Sequence, residues 1–460
     1  METIKAIHKI AYAAPAFALA VVGIPVYVYV PKFYTDVVGV HIGALGAIIL
    51  AVRICDALTD PLLGFLSDRS TTRFGRRRPY IALGSIALAL FIYLLFNPPA
   101  GGRDFETWWF GLCVFFLFLF WTVVQVPYEA LGPEITFDYD ERTALFSIRD
   151  GALILGTLAA ASSPALVRWA FDLPVSAAGE RLTFFWISAL YAPLVILFCW
   201  WCAFAIQEKP RSEPWGGLGG TLWQRLRDIS RNRPFRILVL SYTIAAFGSN
   251  LPATLILYYV QYVLESQHAD LFLLLYFVTG IVFLPGWIKL AKKFEKKSTW
   301  IGSMLVNTGA FIGVFFLGPG DAWLYGILVF FSGIGFGATL AIPSAMQADV
   351  IDYDELLTGE RREGQYVGLW AIAKKLSAAL GIGLALAILG SSGYAPNVEQ
   401  NEQVRWTLRV LYALTPSVCN LVAIAIAFAY PIDRATHQAI RAAIMKRGSA
   451  GATGGPPPPG

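Results

Sequence analysis

Three charged residues on one predicted helical face interrupt a long apolar stretch near the amino terminus. The segment RICDALTDPLLGFLSD contains Arg53, Asp56 and Asp60 at positions i, i+3 and i+7, a spacing that directs all three side chains to one side of a helix. Two carboxylates one turn apart repel each other unless one is protonated or a cation lies between them. Carboxylate oxygens suit Na⁺, and the same pair can carry a proton instead. The pattern predicts a cation site.

A structural ion pair is the alternative explanation for these charges. Arg53 could fasten two helices through a bridge to one aspartate, which would need no ligand. Such a bridge leaves the second aspartate unexplained, at a depth where an ionised side chain costs roughly 3 kcal/mol or more. The residues alone leave both interpretations open.

The elements that carry these charges are predicted to be transmembrane helices. The chain has 460 residues, of which 56% are hydrophobic and 15% are charged, whereas a soluble domain has about 25% charged residues. Uncharged apolar runs recur along the sequence, and about 20 such residues span a bilayer. We count twelve candidate spans, which predicts an all-α membrane protein. The five cysteines have no metal-ligand spacing and indicate neither a disulfide framework nor a zinc site.

Lysine and arginine are concentrated in alternate loops. The basic loops lie at 67–78, 207–235 and 291–298, and twelve spans place all of them on one side together with both termini. By the positive-inside rule this side is the cytoplasm, which predicts a multi-pass protein of the cytoplasmic (inner) membrane. The net charge of +5 then reflects topology and does not indicate nucleic-acid binding.

The sequence repeats itself at the ends of the fourth and tenth spans. VPYEALGPEITFDYDER (126–142) and IPSAMQADVIDYDEL (342–356) each place a proline before a predicted loop with the tetrad Asp-Tyr-Asp-Glu. Duplicated six-span halves are typical of two-bundle transporters of the major facilitator type, whose substrate site lies between the halves. Chance similarity of two acidic turns is the alternative.

The predicted domain organisation follows from this repeat. Two six-helix bundles are expected at residues 1–206 and 237–432, joined by a cytoplasmic loop at 207–236. Residues 433–460 end in a Gly- and Pro-rich segment and are predicted to be a disordered cytoplasmic tail. We expect a monomer in the lipid bilayer.

Polar and aromatic residues share one face of the predicted fourth span. The segment FWTVVQVPYEALGPE places Trp121, Gln125, Tyr128 and Glu129 on this face, with Thr122 beside them. Aromatic rings next to an amide suit a polyhydroxylated ligand, through stacking and directional hydrogen bonds. An aromatic packing seam beside a proline kink is the alternative.

Further charges fall within or at the ends of later spans. Arg149 lies early in the fifth span, and Lys374 and Lys375 interrupt the eleventh. Because a basic side chain inside a bundle is costly unless it pairs or binds, we expect Arg149 and one lysine to face the central pathway from opposite halves. Asp349 and Asp352 follow the tenth span near the basic segment GERREG. They are predicted to form a cytoplasmic gate, with ordinary solvated loop charge as the alternative.

These motifs resemble the glycoside–pentoside–hexuronide:cation symporter family, of which melibiose permease is the best-known member. The similarity extends from KIAYAAPAF and FYTDVVG through RICDALTDPLLGFLSDRSTTRFGRRRPY to ADVIDYDELLTGERREGQYVGLWAIAKKLSAALG. It implies the major facilitator fold and cation-coupled symport of a sugar or glycoside, with Na⁺ or H⁺ as the coupling ion and no cofactor.

The resemblance also implies residue roles. Asp56 and Asp60 are implied to bind the coupling cation with an oxygen from Thr122, Arg149 to line the sugar cavity, and Lys375 to lie between the substrate and cation sites. Arg53 and Glu129 are assigned to the surrounding charge network.

Two departures from melibiose permease limit what the resemblance implies. Ala20 and Gln125 stand where that protein has aspartates, and Glu129 replaces an aromatic residue. Galactoside specificity therefore does not carry over, and proton coupling gains weight.

Two other functions remain open on the sequence. Lysophospholipid symporters share the second-span motif, so an amphiphilic substrate is one alternative. An intramembrane, Mg²⁺-dependent prenyltransferase could use Asp56, Asp60 and Asp68, but the second Asp-rich motif that such an enzyme needs is predicted at a loop. Twelve spans in duplicated halves also exceed what prenyl-transfer chemistry needs, so we expect a carrier and not an enzyme. A phosphate-binding loop for ATP is absent from the sequence, so ATP-driven transport is unsupported.

Overall fold

The protein is described from a computed structural model that covers residues 5–70, 72–135, 139–208, 229, 231–359 and 363–452. The described residues form helices and connecting turns, with no strand among them. Thirteen helices are numbered here in chain order: α1 Ala6–Val38, α2 Ile42–Arg69, α3 Arg78–Phe96, α4 Arg103–Ile135, α5 Tyr139–Ala170, α6 Ala177–Ala205, α7 Arg233–Tyr262, α8 Ala269–Phe294, α9 Lys296–Phe315, α10 Ala322–Thr358, α11 Glu363–Ser391, α12 Glu402–Phe428 and α13 Arg434–Ala452.

Helices α1 to α12 confirm the predicted transmembrane architecture. Each contains a stretch long and apolar enough to cross a membrane, and together they give twelve such spans within the described residues. In a bilayer each backbone N–H and C=O group needs a hydrogen-bond partner within the protein, because no water is available there. An α-helix supplies these partners from its own backbone. Side-chain caps close several ends: Ser176 accepts from the amide of Gly179, Asn232 from Phe235 and Asn401 from Val404.

The helices pack as two pseudo-symmetric halves. In the amino-terminal half, α1 packs on α5 and α6, α3 on α4 and α6, and α2 on α4. Adding six to each helix number gives the contacts of the carboxy-terminal half: α7 on α11 and α12, α9 on α10 and α12, and α8 on α10. The contacts between the halves obey the same rule, since α2 packs on α11 and α8 on α5. The predicted two-bundle fold is confirmed.

Small residues let α2 and α11 approach closely across the interface between the halves. A Cβ atom added at Gly46 would lie 2.9 Å from the Cβ of Leu386, and one added at Gly383 would lie 2.8 Å from the Cβ of Leu50. Both glycines therefore sit at backbone-to-backbone contact, as at other small-residue interfaces in membranes. This contact fixes the registry of α2 against α11 and so positions their charged residues.

The structure corrects two predicted boundaries. The acidic motif at 349–355 was expected at a loop but lies within α10, which continues to Thr358 and ends where Gly359 adopts φ +77°. The central loop, predicted to end at 236, is shorter, because α7 begins at Arg233. The bulk of that loop, at 209–228, lies outside the described residues, as do residues 136–138, which include the first residue of the first tetrad.

The structure also corrects the predicted disordered tail in part. Residues Arg434–Ala452 form helix α13, and only 453–460 lie outside the description. Asp433 caps the helix, because its carboxylate accepts from the backbone amide of Thr436 at 2.8 Å. Hydrogen bonds from the side chain and the backbone of Thr436 lower the pKa of Asp433. Ile440 is buried against the carboxy-terminal half. Composition missed this helix because its stability comes from packing.

Candidate functional site

The charged residues of α2 form a cluster with a lysine from the opposite half. Arg53 Nη1 donates to Asp56 Oδ2 at 2.9 Å, and Lys375 Nζ of α11 lies 3.2 Å from the same oxygen and 2.5 Å from Asp60 Oδ2. The Thr122 hydroxyl of α4 donates to Asp56 Oδ1 at 2.6 Å. These five residues are called the α2 charge cluster below.

Burial makes the α2 charge cluster a demanding electrostatic site. The Asp56 side chain is only 3% exposed, so its charge needs partners. Two cations, Arg53 and Lys375, balance two carboxylates, which gives a formally neutral group. Such balance is what a buried set of charges needs in a membrane. One acceptor remains open, since Asp60 Oδ1 is buried and makes no hydrogen bond with the described residues.

Arg53 belongs to the support of the site. Its guanidinium lies 4.8 Å from the ring centre of Tyr27 and 4.3 Å from that of Phe118, and Nη2 donates to the Tyr27 hydroxyl at 2.7 Å. The Arg53–Asp56 bridge of the structural alternative is therefore present. It lies within one helix, however, and the ion pairs that join α2 to another helix are made by Lys375.

The α2 charge cluster has the donor set of a monovalent cation site. Two carboxylates and a hydroxyl supply hard oxygen ligands, and an ammonium already occupies the space between the carboxylates. An ammonium, Na⁺ and a proton are chemical alternatives in that space, because each satisfies the same negative charge.

A row of polar side chains runs along α4 near the cluster. Trp121 Nε1 donates to Gln125 Oε1 at 2.5 Å, and Gln125 Nε2 donates to Glu129 Oε1 at 2.7 Å. We call these three residues the α4 polar row. The row offers an indole, an amide and a carboxylate, which can bond hydroxyl groups of a ligand.

Tyr128 does not belong to this row, which corrects the predicted shared face. Its side chain is buried, its hydroxyl donates to the backbone carbonyl of Tyr12 at 2.8 Å, and the two rings lie 5.1 Å apart. In this conformation Tyr128 packs α4 against α1. The spacing alone did not show that α1 covers this part of the helix.

Arg149 is placed on α5 with local partners. Its guanidinium donates to Asp150 at 2.7 and 2.9 Å and lies 4.7 Å from the ring centre of Phe146. The side chain is 27% exposed, so the charge stays accessible. Of the two lysines of α11, Lys375 contacts the carboxylates of α2, and Lys374 is exposed. That Arg149 faces the central pathway stays a prediction.

Asp349 and Asp352 connect α10 to the elements beside it. Lys296 at the start of α9 lies 2.6 Å from Asp349 Oδ1, and His437 Nε2 lies 3.0 Å from Asp352 Oδ2. Arg441 approaches Asp352 at 3.7 Å. These contacts hold α9 and α13 against α10 within one half, and the arginines of GERREG lie outside the described residues. The gate stays a prediction.

A polar latch at the end opposite the termini was not predicted. Asp36 of α1 accepts from the Tyr394 hydroxyl at 2.5 Å and the Tyr262 hydroxyl at 3.0 Å, both from the carboxy-terminal half, and pairs with Lys32 at 3.1 Å. Asn397 donates to the Asp36 carbonyl. We call these five residues the Asp36 latch. The motif FYTDVVG carried this signal, since an acid ends an apolar span there.

The Tyr394 hydroxyl of the Asp36 latch keeps its proton. Tyr394 lies in the turn before α12, where burial, and then the neighbouring Asp36 carboxylate, raise the pKa of its hydroxyl far above the usual range. It therefore remains a donor at physiological pH. At the same end, Arg168 of α5 pairs with Asp270 of α8 across the halves and with Glu180 at 3.0 Å. The two halves are thus joined by polar contacts at this end.

The fold and this inter-half site define a class of protein. The structure is similar to the crystal structure of the nucleoside transporter NupG, with a TM-score of 0.61 and 13% identity over 92% of this chain and 100% of that chain. At that identity the similarity shows the fold alone, which is that of a major facilitator transporter. With twelve helices among the described residues that could cross a membrane, the protein is a multi-pass membrane protein.

The family is more specific. The chain belongs to the MFS/sugar transport protein family, whose model matches residues 11–434. A putative sulfoquinovose importer of Salmonella typhimurium strain LT2 is 30% identical over 86% of this chain and 83% of its own length. The putative glycoside/cation symporter YagG of Escherichia coli strain K12 is 28% identical over 91% of this chain and 90% of its own length. The resemblance drawn from the motifs is confirmed.

Proposed function

We propose that the protein is a cation-coupled symporter of a sugar or glycoside that works by alternating access. The observation that carries this proposal is the Lys375 ammonium, which lies between Asp56 and Asp60 at the contact between the two halves. The carboxylates hold a cation where α2 meets α11, so the ion occupying this site and the relative position of the halves depend on each other.

Lys375 is proposed to act as a tethered substitute for the coupling ion. A Na⁺ or H⁺ that enters between the carboxylates makes the lysine charge unnecessary there, and Lys375 can move away. When the ion leaves, Lys375 returns and restores the neutral set of two cations and two carboxylates. The empty carrier can then reorient without an unpaired buried charge, which would cost roughly 3 kcal/mol or more.

The α2 charge cluster fits either Na⁺ or H⁺. Asp56, Asp60 and Thr122 offer carboxylate and hydroxyl oxygens, and Asp60 Oδ1 is an unused acceptor. Na⁺ needs several such oxygens, whereas a proton needs only one carboxylate. The experiment below distinguishes them.

The substrate is proposed to bind beside the α4 polar row. Trp121 can stack on a sugar ring, while Gln125 and Glu129 bond its hydroxyl groups. Arg149 is the accessible cation on the neighbouring α5 and would suit an acidic or strongly polar substituent. The names of the two relatives support a sugar-type substrate.

The orientation is proposed from the basic residues. Arg76, Arg77 and Arg78, together with the basic start of α9, lie at the end that carries both termini, which the positive-inside rule assigns to the cytoplasm. The Asp36 latch then closes the outer end in the described conformation. A cysteine replacing Val398 should react with an impermeant reagent from outside, and one replacing Thr72 should not; the opposite pattern would reverse the topology.

The coupling ion is tested by uptake into vesicles with an imposed Na⁺ or H⁺ gradient. Asp60→Asn should abolish accumulation of a radiolabelled sugar against its gradient, because a neutral amide neither carries a proton nor compensates Na⁺. Asp172→Asn is the matched control, since Asp172 is exposed in a turn with φ +50°, where Asn is well tolerated. Accumulation by Asp60→Asn at the control level would contradict the proposal, and the gradient that drives the control identifies the ion.

A further inference from the structure

A second set of charges joins the two halves at the end opposite the termini. The Arg168 guanidinium of α5 donates to Glu180 of α6 through Nη1 at 3.0 Å and to Asp270 of α8 through Nη2. We call these three residues the Arg168 triad. Asp270 belongs to the carboxy-terminal half, whereas Arg168 and Glu180 belong to the amino-terminal half. The triad therefore stays together only while α5 and α8 meet at this end.

One cation in the Arg168 triad faces two carboxylates. The Asp270 side chain is 11% exposed, so little water remains to compensate the excess negative charge. Both acids lie in the first turn of a helix, whose partial positive charge favours the ionised form by about 2- to 5-fold. This preference is small, because a buried charge without a partner is disfavoured by more than about 100-fold. Two carboxylates held this close are expected to share one proton.

The groups around the triad do not remove this excess. Lys32 of α1 is engaged with other groups, since it pairs with Asp36 at 3.1 Å and donates to Gln261 of α7. The Tyr29 hydroxyl of α1 faces Asp270 and carries no charge. Helices α7, α9 and α10 also pack on α8, and within the described residues no ion pair from them reaches Asp270.

The charges just beyond the triad also cancel. Glu106 of α4 is buried and Arg181 of α6 is half-buried, and both lie near the Tyr34 hydroxyl. His268 precedes α8 and is exposed, so water solvates its ring. One negative charge thus remains in excess at the contact between the halves.

We propose that Glu180 and Asp270 share one proton while this end is closed and release it to the solvent when this end opens. Opening separates Asp270 from Arg168 and exposes both acids to water, where each is ionised at neutral pH. The closed conformation therefore binds one proton more than the open one. By linkage, acid favours closure and alkali favours opening, by up to about tenfold in the closed-to-open ratio for each pH unit.

This proton is distinct from the coupling ion. The Arg168 triad shares no residue with the α2 charge cluster, and its proton enters and leaves at the same end of the protein. On the proposed orientation that end is the outer one, so access from outside depends on the external pH, whichever ion is coupled. The inference thus goes beyond the proposed function.

The test measures the separation of the halves at this end by double electron–electron resonance. Spin labels are attached to cysteines that replace Val175 and Gln267, which are exposed in the turns before α6 and α8. Cys55 and Cys419, the native cysteines that are not buried, are replaced by alanine. The purified full chain is studied in lipid nanodiscs from about pH 5 to about pH 9, a range above the usual carboxyl pKa. Both ends meet the same pH, so the result does not depend on the proposed orientation.

The closed-to-open ratio of the wild type should fall as the pH rises, by up to about tenfold for each unit. Asp270→Asn should keep this end closed at every pH, because Glu180 alone then balances Arg168 without a proton. Glu180→Gln should have the same effect, and it replaces the first variant if that variant does not fold. Asp172→Asn is the matched control, since Asp172 is exposed at the same end, and it should keep the wild-type response.

An ordinary salt bridge between the halves predicts the opposite sign. Asp270→Asn would then open this end at every pH, and that result would overturn the proposal, as would a wild-type ratio that does not change with pH. A pH response that Asp60→Asn abolishes and Asp270→Asn retains would assign the proton to the α2 charge cluster. In that case the proposal fails while the proposed function stands.

Discussion

Replacing Lys375 with methionine should make the stability of the protein depend on the coupling cation. The substitution keeps the apolar stem but removes the ammonium that lies 2.5 Å from Asp60 and 3.2 Å from Asp56. Arg53 alone then faces two carboxylates. If a free cation and the Lys375 ammonium compete for one space, the variant should bind the free cation more tightly and need it more.

The expected size of the effect follows from burial and charge. Removing one partner of a buried ion pair costs about 3–5 kcal/mol, and since the Lys375 side chain is 23% exposed we expect the lower end, about 3 kcal/mol. A cation present at about 100 times its dissociation constant stabilises the folded state by about 2.7 kcal/mol. Saturating cation should therefore restore nearly the whole loss.

The assay is thermal unfolding of purified Lys375→Met in NaCl and in choline chloride at equal ionic strength. Lys374→Met is the matched control, because Lys374 is exposed one residue away on the same helix. Recovery in NaCl at constant pH indicates Na⁺, and recovery only as the pH falls indicates a proton. Unfolding of Lys375→Met that matches the control, with no response to Na⁺ or pH, would refute the tethered-cation mechanism.

Three further predictions concern the same machinery. Thr122→Val removes the hydroxyl that donates to Asp56 at 2.6 Å. Because a hydrogen bond to a charge contributes about 1.5–3 kcal/mol, cation affinity measured by calorimetric titration should fall by about 10- to 100-fold. An unchanged affinity would exclude the hydroxyl as a ligand. Asp56→Asn should lose concentrative uptake, and adding Arg53→Ala should not restore it; rescue in the double variant would favour a purely structural ion pair. Tyr394→Phe removes the hydroxyl that donates to Asp36 in the latch, at a cost of about 1–3 kcal/mol. A cysteine that replaces Ser249 should then be labelled from the outer side roughly 5- to 150-fold faster. An unaltered labelling rate would show that the latch does not govern opening.

Local pattern was sufficient for the helices and for part of the site. The spans follow from apolar runs of membrane length, and the convergence of Arg53 and Asp56 follows from a spacing of three on a helix. The pseudo-symmetric packing was also readable, because a duplicated sequence folds into duplicated contacts. The position of Lys375 beside the carboxylates came from the family resemblance, since spacing says nothing about residues more than 300 positions apart.

Other features could not be predicted from local sequence patterns, because contacts between residues far apart in the chain create them. Spacing assigned Tyr128 to the polar face of α4, yet α1 covers this side chain, and the Tyr128 hydroxyl donates to the backbone carbonyl of Tyr12. Helix α13 was hidden by a polar composition and is held by Ile440 and by the pairing of His437 with Asp352. Asp36 ends an apolar span like many solvated acids, and only its tyrosine partners from the other half show it to be a latch.

The sequence by itself determined that the chain spans a bilayer twelve times in two related halves and that it places costly charges within them, because hydropathy, basic loops and helical spacing act over a few residues. Only the tertiary structure decided which charges meet, and which aromatic residues face a ligand and which pack. These depend on how α2 approaches α11 at Gly46 and Gly383, and on which groups the halves bury together at the Asp36 latch. Burial requires each polar group to find a partner, and that partner is chosen by the packing of helices far apart in the chain.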